Sequence, residues 1–548
     1  MRAFVQTCDT IAATAKKLEK IQLASELLRS LPLKEAARAA IFLTGRAFPR
    51  NDERVLGVGG MQLYRLVGEL AGKEPGHLRD VYRQHGDLGT VAEQLLGAAD
   101  RDGDVSLSEV ADAFRKLPSL RSPAQKHALL SSLFARASAS DVKYIIKVIT
   151  GDLRIGLKEN LVEEAIAKCF ARAIADVRRA NMLTGDIGET LRLAARDALA
   201  SAAVTLFHPL HFMLAASIET PAELFDESPG AFLVEEKYDG IRAQAHKSAG
   251  QVKFFSRTLD EITEFPELTE PVGCLPGTFI LDGEILAWQD THPLPFTELQ
   301  KRLGRKQDQM NLWEQHGVPV KFVCFDLLYR DGETLLDIPL HERRARLDNL
   351  LAGSRDSHMQ VAPSTLCHSS DRMTELFRAS LAAGHEGIVA KAPDSPYTPG
   401  RRGGYWFKLK EPFATLDVVV TAVEYGHGKR HGVLSDYTFA VRHENQLLNI
   451  GKAYSGLNDK EIAQLTDYFL RHTTQEEGFR RVVEPTVVIE VAFNNIQKSN
   501  RHSSGYALRF PRIERLRPDK SVAEIDTLDR VAQLYAKQFA HAPLALES

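Results

Sequence analysis

The sequence predicts a multi-domain chain, with an all-α N-terminal region, an α+β middle and a small antiparallel β-barrel towards the C-terminus. Three changes of texture carry this reading. Residues 1–205 are rich in Ala and Leu at helical spacing; short β-rich runs bounded by Gly, Pro and Asp follow; beyond SPYTPGRRGG only strands and loops remain. The borders fall at 1–205, 206–412 and 413–535, with a tail over 536–548, in keeping with a prior of about 150 residues per domain. In the first segment Leu161, Val162, Ala165, Ile166, Cys169 and Phe170 recur in steps of three and four, one apolar helical stripe. In the second, QVKFFS, GTFILDGEILAW and VPVKFVCFDLLY are strand-like runs between turn formers. In the third, LDVVVTAVEYG, YTFAVRHENQLLNIGKAYSG and EPTVVIEVAF supply strands enough for a barrel.

Composition excludes several classes. Hydrophobic residues are 44% and charged residues 26% of the 548, which rules out disordered, collagenous and coiled-coil chains. No run nears the roughly 18 apolar residues of a membrane span. The start, MRAFVQTCDTIAATAKK, lacks a signal-peptide core, so a cytoplasmic chain with no membrane association is expected. Lys and Arg number 69 against 72 Asp and Glu, a net charge of -3. That excludes a uniformly basic protein, not one that clusters its cations. Five well-separated cysteines (Cys8, Cys169, Cys274, Cys324, Cys367) contain no CxxC pair, which argues against a disulfide framework or a zinc ribbon. DRDGDVSLSEVA, residues 100–111, has the alternating carboxylates of a calcium loop, but Val105 stands where Gly is needed and Ala111 where a bidentate Glu is needed. It reads instead as an acidic loop before a helix capped by Ser106 or Ser108.

The chemistry-bearing residues come in six segments. EEKYDGIRAQAH holds Glu235, Lys237, Asp239, Gly240 and Arg242, and alone it could be a turn after a strand. It is followed by FFSRTLDEIT with Ser256 and Arg257, FILDGEILAW with Asp282 and Glu284, and FVCFDLLY with Phe325 and Asp326. EGIVAK with Glu386 and Lys391 and WFKLK with Lys408 and Lys410 complete the set. In this order and at these spacings the segments resemble the covalent nucleotidyltransferase superfamily: ATP-dependent DNA ligases, RNA ligases and mRNA capping enzymes.

The resemblance implies that Lys237 is a nucleophile forming a lysyl-N-AMP phosphoramidate. A lysine attacks a phosphate only as the free amine, and cations around it (Arg242, Arg257, Lys408, Lys410 and a bound Mg²⁺ or Mn²⁺) would disfavour its ammonium form. The same charges would stabilise the phosphoryl oxygens. By the same resemblance Glu235 reads the adenine amino group and Phe325 stacks on the purine, although a core aromatic on a strand is an open alternative. Arg242 and Glu284 hold ribose or phosphate oxygens, Glu284 and Glu386 place the metal, and a surface ion pair is the alternative for Glu284. Lys408 and Lys410 alternate on a strand and so share a face. Asp282 and Asp326 are as well read as structural.

Two further segments narrow the family. ALRFPRIERLRPDK carries Arg509, Arg512, Arg515, Arg517 and Lys520; it resembles the last motif of DNA ligases, set on an OB-fold, in which Arg509 meets the leaving pyrophosphate. A DNA-facing basic strand is the alternative. QHGDLGTVAEQLL, with Gly89, and TGDLRIGLKENLVEEAIAKCF, with Arg154, Gly156 and Lys158, resemble the helical DNA-binding domain of archaeal and eukaryotic-type DNA ligases, where glycines beside cations suit close approach to phosphate. GHGKRHG, with Lys429, Arg430 and His431, is a candidate DNA contact or a solvated hairpin tip. HPLHFMLA, with His211 and Phe212, departs from the basic residue and proline that such ligases carry there.

The resemblance thus implies an ATP-dependent DNA ligase that seals 3′-OH/5′-phosphate nicks in duplex DNA, in replication, repair or recombination. A monomer, nucleoid-associated, with a hinge near residues 411–413 is expected. An RNA-end enzyme, or a scaffold with a degenerate site, are the competing readings. Against the scaffold, Lys237, Glu284, Glu386, Lys408 and Lys410 are all present.

Overall fold

Helical spacing in the first two hundred residues becomes twelve α-helices among the described residues, from Arg2–Ala13 to Ile187–Ala195. The stripe expected at 161–170 is the helix Glu159–Phe170, whose buried side includes Leu161, Val162, Ala165, Ile166 and Cys169. Ser106 starts the helix Leu107–Lys116 with a reciprocal cap, its hydroxyl accepting the Glu109 N–H while the Glu109 carboxylate accepts the Ser106 N–H. Ser106, not Ser108, is therefore the cap, and residues 100–102 of the acidic loop lie outside the described residues.

The computed structural model describes residues 1–97, 103–289, 292–303, 318–353, 356–411, 414–426, 430 and 432–537. The chain forms two compact units: residues 1–214, 240–361 and 394–402 in one, and 215–239, 362–393 and 403–548 in the other. No helix among the described residues is long and apolar enough to cross a membrane, and none of the five cysteines is in a disulfide.

In the first unit the helices are joined to an eight-stranded sheet whose main path runs Met359–Val361, Val320–Arg330, Phe279–Gln289, Ile241–Ser248, Gln251–Ser256, Glu261–Ile262. All neighbours on that path are antiparallel except the first two. Phe254, Phe279, Leu281, Ile285, Phe322 and Leu327 build its core. Between Phe279–Gln289 and Val320–Arg330 the register shifts: Asp282 faces Asp326 and Gly283 faces Cys324, which leaves Phe325 as the extra, bulged residue. A Cβ on Gly283 would come within 2.6 Å of the Phe322 ring and the Val323 carbonyl, so only glycine fits there.

The second unit contains a five-stranded sheet in the order Leu214–Ser217, Arg402–Lys410, Gly387–Lys391, Phe232–Glu236, Ser364–Cys367. It also contains a β-rich region in which the long strand Thr415–Tyr425 pairs Leu434–His443 on one edge. On its other edge that strand pairs Val488–Ala492 through its first half and Arg480–Val483 through its second. Leu416, Val418, Val420, Phe439, Ile450 and Val491 lie in one apolar core with Ile462, Leu465 and Phe469 of the helix Asp459–Arg471. The sequence reading of this region as strands and loops alone missed that helix, which Asn458 and Glu461 cap reciprocally.

Candidate active site

Alternation along the three central strands of the five-stranded sheet separates its two faces. Phe232, Val234, Ile388, Ala390, Phe407 and Leu409 pack into an apolar cluster on one side. Register puts Val389 opposite both Glu235 and Lys408, Lys391 opposite Trp406, and Gly387 opposite Lys410. The other face therefore carries Glu235, Lys391, Trp406, Lys408 and Lys410, with Lys237 directly after its strand.

Lys237 is pinned at both ends of its backbone: its N–H donates to the Gly387 carbonyl at 2.8 Å and its carbonyl accepts the Glu386 N–H at 3.0 Å. Its Nζ donates to the Glu386 carboxylate. That contact differs from the purely cationic surroundings expected from sequence, because a carboxylate favours the ammonium. Burial, then the neighbouring Lys408, lower the Lys410 pKa. Glu235 and Lys391 are 4% and 2% exposed and share a hydrogen bond of 2.5 Å, with the Lys391 ammonium 4.3 Å from the Trp406 ring centre. Sequence reasoning noted Lys391 and gave it no role; the signal available was a lysine closing an otherwise apolar strand, which requires a buried partner. Burial raises the Asp239 pKa, and the charges of Lys237 and Arg509 oppose it, so Arg509 acts electrostatically on the turn that follows Lys237.

In the first unit Arg242 and Glu284 face each other across two strands. Arg242 donates from Nη2 and Nε to the fully buried Asp282 at 2.8 and 3.2 Å. Burial alone would lower its pKa; Asp282, with Tyr397 and Glu284, reverses that and raises it. The bulge takes Phe325 out of the core alternation, its ring centre 5.4 Å from the guanidinium carbon. Phe212 lies at 5.0 Å from the same carbon. The two aspartates left open by the sequence now separate: Asp282 orients Arg242, whereas Asp326 makes a fully buried two-pronged pair with Arg343, both bonds 2.8 Å. Arg257 is exposed in the turn after Gln251–Ser256.

The two glycine-bearing loops of the helical region meet. Arg154, at φ 53°, donates to the Gly86 carbonyl at 2.9 Å and to Asp152 at 2.5 Å. Along this segment Leu153, Ile155 and Leu157 are buried while Arg154, Gly156 and Lys158 are exposed. Gly89 differs from its expected role: it is buried, and a Cβ there would lie 2.7 Å from the Lys143 carbonyl, so helix packing accounts for this glycine without a phosphate. Arg430 donates to the Tyr454 carbonyl at 2.9 Å; Lys429, His431 and residues 412–413 lie outside the described residues. The C-terminal cluster is less basic in space than in sequence. Arg515 pairs with Glu490, Arg517 with Asp417 and Asp519, and Lys520 with Asp417, leaving the exposed Arg512 loosely paired to Glu514 at 3.7 Å.

Family models match nearly the whole chain: DNA ligase N terminus over residues 1–196, ATP dependent DNA ligase domain over 212–410, and ATP dependent DNA ligase C terminal region over 430–520. A "Probable DNA ligase" of Koribacter versatilis is 51% identical, the match covering 98% of this chain and 97% of that protein. "DNA ligase 1" of Korarchaeum cryptofilum is 36% identical, with 98% of each covered. The solved structure "Pmar-Lig_PreS3" has a similar fold, with a TM-score of 0.55 at 17% identity over 94% of this chain and 99% of its own. With relatives this similar over full length, the chain is a ligase and belongs to the ATP-dependent DNA ligase family.

Proposed function

We propose that the protein seals 3′-OH/5′-phosphate nicks in duplex DNA through three nucleotidyl transfers. The Lys237 amine, having lost its proton, attacks the α-phosphorus of ATP; an N–P bond forms, the P–O bond to pyrophosphate breaks, and pyrophosphate leaves. The 5′-phosphate of the nick then takes the AMP from Lys237. The 3′-OH, losing its proton, attacks the activated phosphorus and expels AMP. The observation that carries this reading is Lys237 itself: a lysine fixed through both backbone groups, its amine against Glu386, on a sheet face that also bears Lys408 and Lys410.

The remaining roles follow from side-chain chemistry. Glu235, held by Lys391, is a fixed acceptor for the adenine amino group. Phe325 offers a ring face to the purine. Arg242 and Glu284 take ribose or phosphate oxygens, Lys408 and Lys410 the phosphates, and Arg257 and Arg509 assist during self-adenylylation. Among the described residues no three His, Cys, Asp or Glu gather in a cluster. A hard cation that retains waters and phosphate oxygens needs only one or two carboxylates, so Glu386 and Glu284 are each a candidate in its own unit. Bound, Mg²⁺ or Mn²⁺ supplies neutralising charge to the phosphate oxygens. Arg154, Gly156, Lys158 and Arg430 serve the DNA backbone, with binding that weakens as salt rises. A domain division at 1–205, 206–412 and 413–535, a monomeric state and a cytoplasmic, nucleoid-associated location belong to the same reading.

The test is covalent labelling. Protein incubated with α-phosphate-labelled ATP and Mg²⁺ is expected to carry label through denaturing electrophoresis, and Lys237→Ala to carry none. Label retained by the variant would move the nucleophile elsewhere.

A further inference from the structure

Tyr397 lies in SPYTPG, outside the six motif segments, and is 1% exposed. Its hydroxyl donates to Asp282 Oδ2 at 2.7 Å and accepts the Met213 N–H at 3.0 Å. Asp282 also accepts Arg242 Nη2 and Nε, and Arg242 Nη1 donates to the Met213 carbonyl at 2.7 Å. The four groups close a hydrogen-bonded ring: tyrosine to aspartate, aspartate to arginine, arginine to the Met213 residue, and Met213 back to tyrosine. Its frame is fixed by backbone bonds, from Tyr397 N–H to Leu336 O at 2.7 Å, Gly400 N–H to Phe212 O at 3.0 Å and Leu214 N–H to Arg401 O at 2.9 Å. Burial, reinforced by the Asp282 carboxylate, pushes the tyrosine hydroxyl well above its usual value, so it remains a donor.

We infer that Tyr397 is a positioning residue for Arg242, which it orients through Asp282 and through the backbone of Met213. The inference rests on the reading of Arg242 as a nucleotide contact. Asp282 holds the guanidinium by two bonds, and the tyrosine hydroxyl in turn holds the carboxylate that makes them. Without the tyrosine hydroxyl, Asp282 loses one donor and the Met213 N–H loses its acceptor inside the protein, where an unmade hydrogen bond is costly. The Met213 carbonyl, which holds the third guanidinium bond, keeps the Leu214 N–H tether to Arg401 but loses the support of the tyrosine on its own residue. A displacement of an ångström in such a clamp is enough to slow a reaction about a hundredfold. Met213 lies on the connection that the sequence marks as atypical, HPLHFMLA. The ring therefore ties the nucleotide-facing arginine to the segment leaving the helical region.

The experiment is a mutant cycle on the full chain. Initial rates of lysyl-AMP formation against ATP concentration give KM and kcat separately, and thermal unfolding is followed for each variant. Tyr397→Phe is expected to raise the KM for ATP about tenfold, equivalent to about 1.4 kcal/mol, and Arg242→Gln to raise it at least as much. The double variant is expected to be no worse than Arg242→Gln alone, because coupled residues are not additive. A KM unchanged in Tyr397→Phe, or additive losses in the double variant, would overturn the positioning role while leaving Arg242 a nucleotide contact. An unchanged KM in Arg242→Gln would overturn the nucleotide role and this inference together. If Tyr397→Phe does not fold, 3-fluorotyrosine at position 397 keeps the shape and alters only the strength of the donor. A shift in KM then supports the role and an unchanged KM refutes it.

Discussion

Glu235 and Lys391, on the five-stranded sheet, are 4% and 2% exposed and bonded to each other, whereas Arg154 and Lys158 stand exposed above the buried Leu153, Ile155 and Leu157. Both regions bear charge, and they use it differently. In the sheet Glu235 and Lys391 hold each other in a fixed direction and Lys237 is bonded to Glu386, as the proposed chemistry on a single phosphorus requires. On the loop the cations stand in water, suited to a polyanion met through its field, where no single contact decides the outcome. Charge alone does not separate these two regions; burial with a fixed partner does. The comparison predicts which regions tolerate change.

The largest effect is expected in the sheet. Lys391→Met leaves the Glu235 carboxylate buried without its cation, at a cost of about 3–5 kcal/mol, read as a lowered unfolding midpoint together with loss of labelling by ATP. The double variant Glu235→Gln, Lys391→Met should recover much of the stability and none of the labelling. Recovery of labelling would break the distinction, since the pair would then be structural only.

Next comes Gly387, where φ is 138° and a Cβ would collide with the Leu409 carbonyl. Gly387→Ala is expected to cost about 1–3 kcal/mol. Because the Gly387 carbonyl accepts the Lys237 N–H, the proposed nucleophile shifts with it, and labelling should slow about a hundredfold. Single-turnover rates check this; an unchanged rate would show that these backbone bonds do not set the reach of Lys237.

How much of this was legible beforehand follows from the same contrast. The six motif segments could be read because the chemistry demands particular side chains at local spacing, as with Lys237 and Glu235, or Lys408 and Lys410. The Glu235–Lys391 pair spans 156 residues of sequence and depends on strand register, which a linear reading does not contain. The basic look of ALRFPRIERLRPDK fails for the same reason, since Asp417 and Glu490, which neutralise Arg517, Lys520 and Arg515, arrive from other strands. Phe325 is open between core and site in the sequence; the bulge, invisible to period-two alternation, takes it out of the sheet's alternation while leaving it buried. The helix Asp459–Arg471 does have a local signal, Asn458 with Glu461 before Ile462, Leu465 and Phe469, set among strand-like runs.

On the exposed loop smaller effects are expected. Arg154→Ala and Lys158→Ala should each weaken nick binding and flatten the dependence of log affinity on log salt by about one unit. Labelling by ATP should stay unchanged, because neither residue belongs to the sheet. Nick binding measured across a salt series separates the outcomes: an unaltered slope would remove these cations from the DNA interface, and altered labelling would join the two regions that the comparison keeps apart.

The smallest effect sharpens the comparison within the sheet. Burial and Lys408 lower the Lys410 pKa from its ordinary 10.5, so in the ligand-free protein its ammonium is lost at a lower pH than usual. A triphosphate beside it favours the ammonium and moves the value back up. Proton uptake must then accompany ATP binding as the solution approaches and passes the lowered value, and ATP affinity must fall as pH rises through that window. At lower pH the lysine is charged with or without ATP, and no dependence arises from it. Calorimetry in buffers of different ionisation enthalpy measures the uptake directly. Lys410→Arg, charged at every accessible pH, should abolish the Lys410 share of it while still offering a cation to phosphate. Uptake that persists in full in that variant would assign the titration to another group and leave Lys410 an ordinary surface charge, like those of the loop.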